Sequence, residues 1–151
     1  MKIDNTDTQI LIRLQNDGRL SNVELAEQIH LSASPCLRRV KQLESSGVIK
    51  GYKASIERKK VGLSMTVFIE VRLNSHTGEA SEAFEMNMAN LTNVISAYLV
   101  SGYADYRLEV VAKDLNDYES ILKAIQNLPY VKDIHSNFAI RAIKSDSPLP
   151  L

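Results

Sequence analysis

One cysteine in 151 residues excludes an internal disulfide, and it is too few for a structural zinc site built from several thiolates. The three histidines, His30, His76 and His135, follow no metal-ligand spacing, so no metal or other cofactor is expected. No apolar run approaches the ~18 residues of a membrane span. The stretch "MKIDNTDTQI" lacks a signal-peptide core, so the chain reads as cytoplasmic with no membrane partner. No glycine-rich phosphate loop follows a strand pattern, and no Ser/His/Asp or Cys/His set converges, so an enzyme is not expected. Internal repeats and low-complexity segments are missing too. With 44% apolar and 24% charged residues, the composition is that of a globular protein rather than a disordered or collagen-like one.

The net charge is zero, but its distribution is uneven. Residues 1–62 carry eleven Lys/Arg against seven Asp/Glu, and residues 63–151 carry seven against eleven. A polyanion would be drawn to the first part and repelled by the second.

Three helices are expected in the first fifty residues. In "IDNTDTQILIRLQNDG", Asp4 can cap, Ile10, Leu11 and Leu14 share a face, and Gly18 supplies a stop. "SNVELAEQIHL" opens on a capping box, Ser21 with Glu24, and buries Leu25, Ala26 and Ile29. In "LSASPCLRRVKQLESSGVI", Ser32 or Ser34 caps and Pro35 sits in the first turn, where its missing N–H costs nothing. Leu37, Val40 and Leu43 are expected to face inward, leaving Arg38, Arg39, Lys41 and Gln42 outside. A tight turn between the last two helices makes a helix-turn-helix.

The pattern then changes. "VIKGYKASI" is β-like and "ERKKVGLS" reads as a connector. From Met65, "MTVFIEVRL" alternates, with Val67, Ile69, Val71 and Leu73 on one face. A helix with Ala80, Phe84, Met88 and Leu91 follows, then the strands "VISAYLV" and "YRLEVVA". A second helix, capped by Asp114, buries Leu115, Tyr118, Leu122 and Ile125, and "VKDIHSNFAIRAI" forms the last strand. The expected fold is α+β: residues 1–50 a helix-turn-helix, 51–62 a β-like linker, and 63–151 a βαββαβ ferredoxin-like domain. Such a sheet has helices on one face only. Phe68, Val111 and Ala139 would lie on the bare face among polar residues, which suggests self-association.

Two constellations carry chemistry. A helix enters the major groove of double-stranded DNA only if its tip is small and its flanks reach phosphates. Ser32, Ser34 and Pro35 meet the first demand; Arg38, Arg39 and Lys41, with Gln42 beside them, meet the second. A packing module with an incidentally basic face is the bland alternative, and Cys36 reads as a small buried hydrophobe. The other constellation is the hairpin "VSGYADY". A free amino acid needs N–H donors for its carboxylate and an acceptor for its ammonium. Gly102 permits close backbone approach, Asp105 can pair the ammonium, and Tyr103 and Tyr106 could wall a pocket. On residues alone, an ordinary hairpin with a polar tip is the favoured reading. An RNA-binding module would share the βαββαβ order, yet "YRLEVVA" lacks its stacking aromatics; a scaffold remains the other alternative.

"DGRLSNVELAEQIHLSASPCLRRVKQLESSGVIKGYKA", "SGYADYRLEVVAKDL", "LPYVKDIHSNFAI" and the closing "LPL" resemble the Lrp/AsnC (feast/famine) regulators, in order and over essentially the whole chain. The resemblance implies a winged helix-turn-helix, a linker and a βαββαβ effector domain. It also implies transcription control through DNA, amino-acid effectors, and dimers that assemble further, often into octamers. Effectors would bind around Val100, Gly102, Tyr103, Ala104, Asp105 and Tyr106. The family's commonest loop has an acidic residue after the glycine, where this chain has Tyr103. With one carboxylate and aromatic walls, the loop points to a small apolar effector, leucine or methionine.

Overall fold

The chain divides between Ser55 and Ile56 in the computed structural model, which describes residues 2–151. One unit runs up to Ser55 and also takes in the tail, Lys144–Leu151; the other is Ile56–Ile143. The sequence expectation drew the boundaries at 50 and 62 and left the tail with the second part. The tail instead joins the first unit, where Leu149 donates its N–H to Gln15 Oε1 at 2.9 Å and accepts from Gln15 Nε2 at 3.0 Å.

The first unit has three helices, α1 (Asn5–Asn16), α2 (Asn22–Gln28) and α3 (Ala33–Ser45). Two of the three expected caps form; Ser32 stands at the N-cap of α3 but makes no side-chain cap hydrogen bond. Asp4 and Asp7 make a reciprocal capping box on α1, and Ser21 and Glu24 make one on α2. The box hydrogen bonds from Ser21 hold the Glu24 carboxyl below its usual range. Ile10, Leu25, Ala26, Cys36 and Leu43 form the core, with Leu14, Ile29, Leu31 and Val40 packed around them. The stop expected at Gly18 falls one residue earlier. α1 ends on extended Asp17, and a Cβ on Gly18 would stand 3.3 Å from the Tyr52 ring, so the glycine makes room for that ring. The β-like stretch also differs: residues 50–57 form no strand, and Arg58–Val61 is a 3-10 turn. Its start is tied down by the Ile49 N–H on the Leu43 carbonyl, and Tyr52 donates to Glu44.

Leu37 is 42% exposed, whereas Cys36 is fully buried. At roughly 100° per residue, Cys36 and Leu43 lie within about 20° of one another on α3, and Leu37 lies about 100° away from Cys36. Helical phase outranks side-chain size here. Burial also pushes the Cys36 thiol above its ordinary pKa.

The second unit is the expected four-stranded antiparallel sheet with two helices. Its elements are β1 (Met65–Leu73), α4 (Gly78–Asn90), β2 (Val94–Leu99), β3 (Tyr106–Ala112), α5 (Leu115–Gln126) and β4 (Val131–Phe138). The order across the sheet is β2-β3-β1-β4. Val67, Ile69, Val71 and Leu73 of β1 join Leu108 and Val110 of β3 against Phe84, Met88, Tyr118 and Ile125 of the helices. On α5 the buried stripe is Tyr118, Ile121 and Ile125; Leu115, expected inside, is 63% exposed in the first turn. β4 stops at Phe138 rather than running on to 143, and only the Ala139 N–H continues the ladder, onto Thr66.

The other sheet face carries Phe68, Glu70 and Arg72 of β1, Arg107 and Glu109 of β3, and Asp133, His135 and Asn137 of β4, matched by register. It is more charged than expected. Val111 is buried there because Arg58 reaches across its position to Thr66 and Glu109, its cross-strand partner and its same-face neighbour. Phe84→Ala should destabilise the second unit by about 3–5 kcal/mol, since it empties a fully buried site against Tyr106. Denaturant unfolding followed by far-UV circular dichroism measures this.

Candidate DNA interface and effector loop

On α3, the outward side is set by the same helical phase that buries Cys36. Ser34, Arg38, Lys41 and Gln42 follow i, i+4, i+7, i+8 spacing and are all exposed. Ser32 is the N-cap residue but makes no side-chain cap hydrogen bond, which leaves its hydroxyl facing solvent beside exposed Ala33 and Ser34. Pro35 is half-buried in the first turn. The tip therefore presents two hydroxyls and little bulk, with cations one and two turns further along. The turn before it holds His30 at φ 56° and is secured by the Leu31 N–H on the Ala26 carbonyl. Asn22 ties α2 to α3 by donating to the Ala33 carbonyl at 2.8 Å.

Arg39 stands apart from this stripe. It was expected outside with Arg38, but its side chain is half-buried on the flank facing α1. Its Nη1 lies 2.8 Å from Asp4 Oδ2 and 2.8 Å from Asp7 Oδ1. The hydrogen bonds to Asp7 and then Asp4 raise the Arg39 pKa further. Asp4 is held below the ordinary carboxylate range, first by the Asp7 backbone N–H and then by the guanidinium.

In the second unit, the residues expected around an effector do not share one surface. Gly102 and Tyr103 are exposed at the tip, with Gly102 at φ 120°, where any side chain would be strained. Ala104 is buried and Val100 half-buried. Tyr106 turns away altogether. Its ring packs 4.5 Å from that of Phe84 and its hydroxyl donates to Glu85 at 2.9 Å. Burial pushes its phenol above the usual pKa, and the Glu85 carboxylate adds to this. Tyr106 thus lines a different space, a cleft of about 510 Å³ between α4 and β2 shared with Glu85, Met88, Ser96 and Leu99.

Asp105 is less free than a bare loop carboxylate. Oδ2 accepts the Leu73 N–H at 2.7 Å, and Oδ1 lies 3.1 Å from His76 Nε2. Asp105 also donates its N–H to the Val71 carbonyl and accepts from the Val100 N–H. It closes the hairpin and binds it to the end of β1. Sequence reasoning missed three groups here: Arg72, His76 and Glu85. Arg72 of β1 lies 4.4 Å over the Tyr103 ring, donates to its hydroxyl at 3.1 Å and stands 3.5 Å from Asp133 Oδ2, so a guanidinium meets the tip of the loop. Only the β1–β3 register, Val71 opposite Tyr106, brings Arg72 and His76 to the loop. Among the described residues, no cluster of three or more His, Cys, Asp or Glu is placed to hold a metal.

Comparison with known proteins agrees with both halves of this geometry. Residues 3–50 match the winged helix-turn-helix DNA-binding model, and residues 66–149 match the Lrp/AsnC ligand-binding domain. The chain is 38% identical over 151 residues to the Bkd operon transcriptional regulator of Pseudomonas aeruginosa, covering 99% of each. It is 36% identical over 148 residues to the leucine-responsive regulatory protein of Escherichia coli, covering 97% of this chain and 90% of that one. Among solved structures, a transcriptional regulator of Neisseria meningitidis in complex with L-Met superposes with TM-score 0.93 at 37% identity, covering 99% and 97% of the two chains. An AsnC family regulator of Agrobacterium tumefaciens gives TM-score 0.93 at 35% identity, covering 97% and 96%. The chain belongs to the Lrp/AsnC family of DNA-binding transcriptional regulators with an amino-acid-binding domain, and is not an enzyme.

Proposed function

We propose that this regulator reads double-stranded DNA through the tip and outer stripe of α3, and that leucine or methionine, bound at the Gly102–Asp105 loop, adjusts its assembly. One observation carries the reading. A single chain presents a small-tipped helix with an exposed Ser34–Arg38–Lys41–Gln42 stripe, and also a hairpin that carries a carboxylate, Asp105, and meets the β1 guanidinium of Arg72 at Tyr103. In this scheme Ser32 and Ser34 approach bases or phosphates beside Pro35, while Arg38, Lys41 and Gln42 hold the backbone. The effector ammonium pairs with Asp105, its carboxylate takes Arg72 and the backbone N–H groups freed by Gly102, and the Tyr103 ring covers an apolar side chain. The methionine complex of the Neisseria relative supports this class of ligand.

The bare sheet face would form the dimer core, with dimers meeting near the loop and octamers the expected larger form. Phe68 is half-exposed there with Arg107 5.2 Å over its ring, and the face carries charges of both signs, so that two copies can pair them across a two-fold axis. An amino acid that binds one assembly ten times better than another shifts their balance by about 1.4 kcal/mol. That is enough to change how many DNA-binding heads act together. A soluble regulator of this kind works in the cytoplasm.

Three measurements test the scheme. Gel shift against DNA from the region upstream of the regulator's own gene should weaken for Arg38→Ala/Lys41→Ala, with the salt slope reduced by about one unit for each phosphate no longer neutralised; an unchanged slope would take this stripe off the DNA. By calorimetry, Asp105→Ala and Asp105→Asn should each weaken leucine or methionine binding at least tenfold while sparing DNA affinity without effector. Retention within a factor of about two would place the effector elsewhere. Phe68→Asp in the full chain should yield monomers by light scattering at micromolar concentration, and intact oligomers would refute the sheet-face dimer.

A further inference from the structure

The guanidinium of Arg39 occupies a site that the DNA-reading scheme does not use. It joins the middle of α3 to the first turn of α1, across two carboxylates that already cap that helix. Asp7 is 4% exposed and is the one buried charged residue among those described. Its Oδ2 accepts the Asp4 N–H at 3.2 Å, and Asp4 Oδ1 accepts the Asp7 N–H at 2.8 Å. Two carboxylates held this close repel. The single nitrogen Nη1 of Arg39, 2.8 Å from an oxygen of each, has two N–H groups and gives one to each acid.

From these contacts we infer that Arg39 is a positioning residue for DNA recognition, setting the rotation of α3 against α1, and is not one of the phosphate contacts. The inference rests on the reading that α3 faces DNA. Three points carry it. Arg39 lies about 100° around the helix from Arg38, on the side turned to α1. Both N–H groups of Nη1 are taken by the two acids, which fixes the plane of the guanidinium against α1. The Asp4–Asp7–Arg39 cluster has a formal charge of −1, so it repels a phosphate instead of attracting one.

The consequence is geometric. With side chains, a helix has a radius of about 5–6 Å, so a rotation of about 20° around its axis carries a side-chain tip through about 2 Å. That is most of a hydrogen bond. Cys36 and Leu43 place α3 in the core but are smooth apolar contacts that tolerate small rotations. A charged bridge with two directional hydrogen bonds does not. A buried carboxylate also cannot be left without its cation, which pins the guanidinium to one place.

The experiment sets this role against a phosphate contact through the sign of a single change. DNA affinity is measured by fluorescence anisotropy at several salt concentrations, on full-length protein well below its melting temperature. The variants are Asp7→Asn, Asp4→Asn, Arg39→Ala and the Asp7→Asn/Arg39→Ala double. Asn caps a helix about as well as Asp, so Asp4→Asn keeps α1 intact and remains informative where Asp7→Asn fails to fold. For a positioning role, every single variant weakens binding, by about fivefold or more for Arg39→Ala. The salt slope stays unchanged, discrimination between operator and unrelated duplex falls, and the double is no weaker than Arg39→Ala. Tighter binding by Asp4→Asn or Asp7→Asn, with a slope lower by about one per head in Arg39→Ala, would make Arg39 a phosphate contact. Unchanged affinity and discrimination in Arg39→Ala, with only a lower melting temperature, would reduce it to a stabilising pair. Arg38→Ala is run alongside. If it alters neither affinity nor slope, α3 does not face DNA and the underlying reading fails, an outcome separate from both of those.

Discussion

Side chains along a β-strand must alternate between two faces, and the second unit is organised by how β1 uses that alternation. Val67, Ile69, Val71 and Leu73 bury against α4 and α5, so Phe68, Glu70 and Arg72 have to point the other way. β1 is central, paired with β3 on one side and β4 on the other. Each outward residue therefore stands between cross-strand neighbours; Glu70 lies between Arg107 and His135. One helical layer and one bare face follow directly. The end of β1 then places Arg72 and the Leu73 N–H against the 101–105 hairpin, so the core pattern and the anchoring of that hairpin are two results of one register.

Asp105 shows how a structural carboxylate can keep acceptor capacity. Its carboxylate accepts from the Leu73 N–H and faces His76, which ties the hairpin to the end of β1. A carboxylate oxygen has more than one lone-pair direction. An anchored Asp105 can thus still receive an ammonium, and anchoring reduces the ordering that binding would otherwise require. Tyr103 fits the same logic, since its ring is already stacked on Arg72 although 79% of the residue is exposed.

The helix-turn-helix depends on a different kind of constraint. Its core is five buried side chains and their partly buried neighbours, a small set for three helices. Polar devices supply the rest: two capping boxes, Asn22 on the Ala33 carbonyl, the Asp4–Asp7–Arg39 bridge, and Gln15 clasping the Leu149 main chain. These bonds are directional, and they fix angles that apolar contacts leave loose.

The amino-acid sequence by itself determined the element types and their order, because local periodicity encodes them. Asp4 and Ser21 announce their helices, the period-two run at Met65–Leu73 announces its strand, and the Ser-Ala-Ser-Pro run announces the start of α3. Readings based on hydrophobicity failed at Leu37 and Leu115, where helical phase and position in the first turn outrank side-chain size. Tertiary structure alone decided the partners of the charged residues. Arg39 meets acids 32 and 35 positions away, Asp105 meets Leu73 across the β1–β3 pairing, and Tyr106 turns to Glu85 instead of the loop. A charged side chain has no periodic signature of its own. Its role is set by whichever opposite charge or free N–H the fold brings within about 3 Å, and that distance exists only after the core has closed.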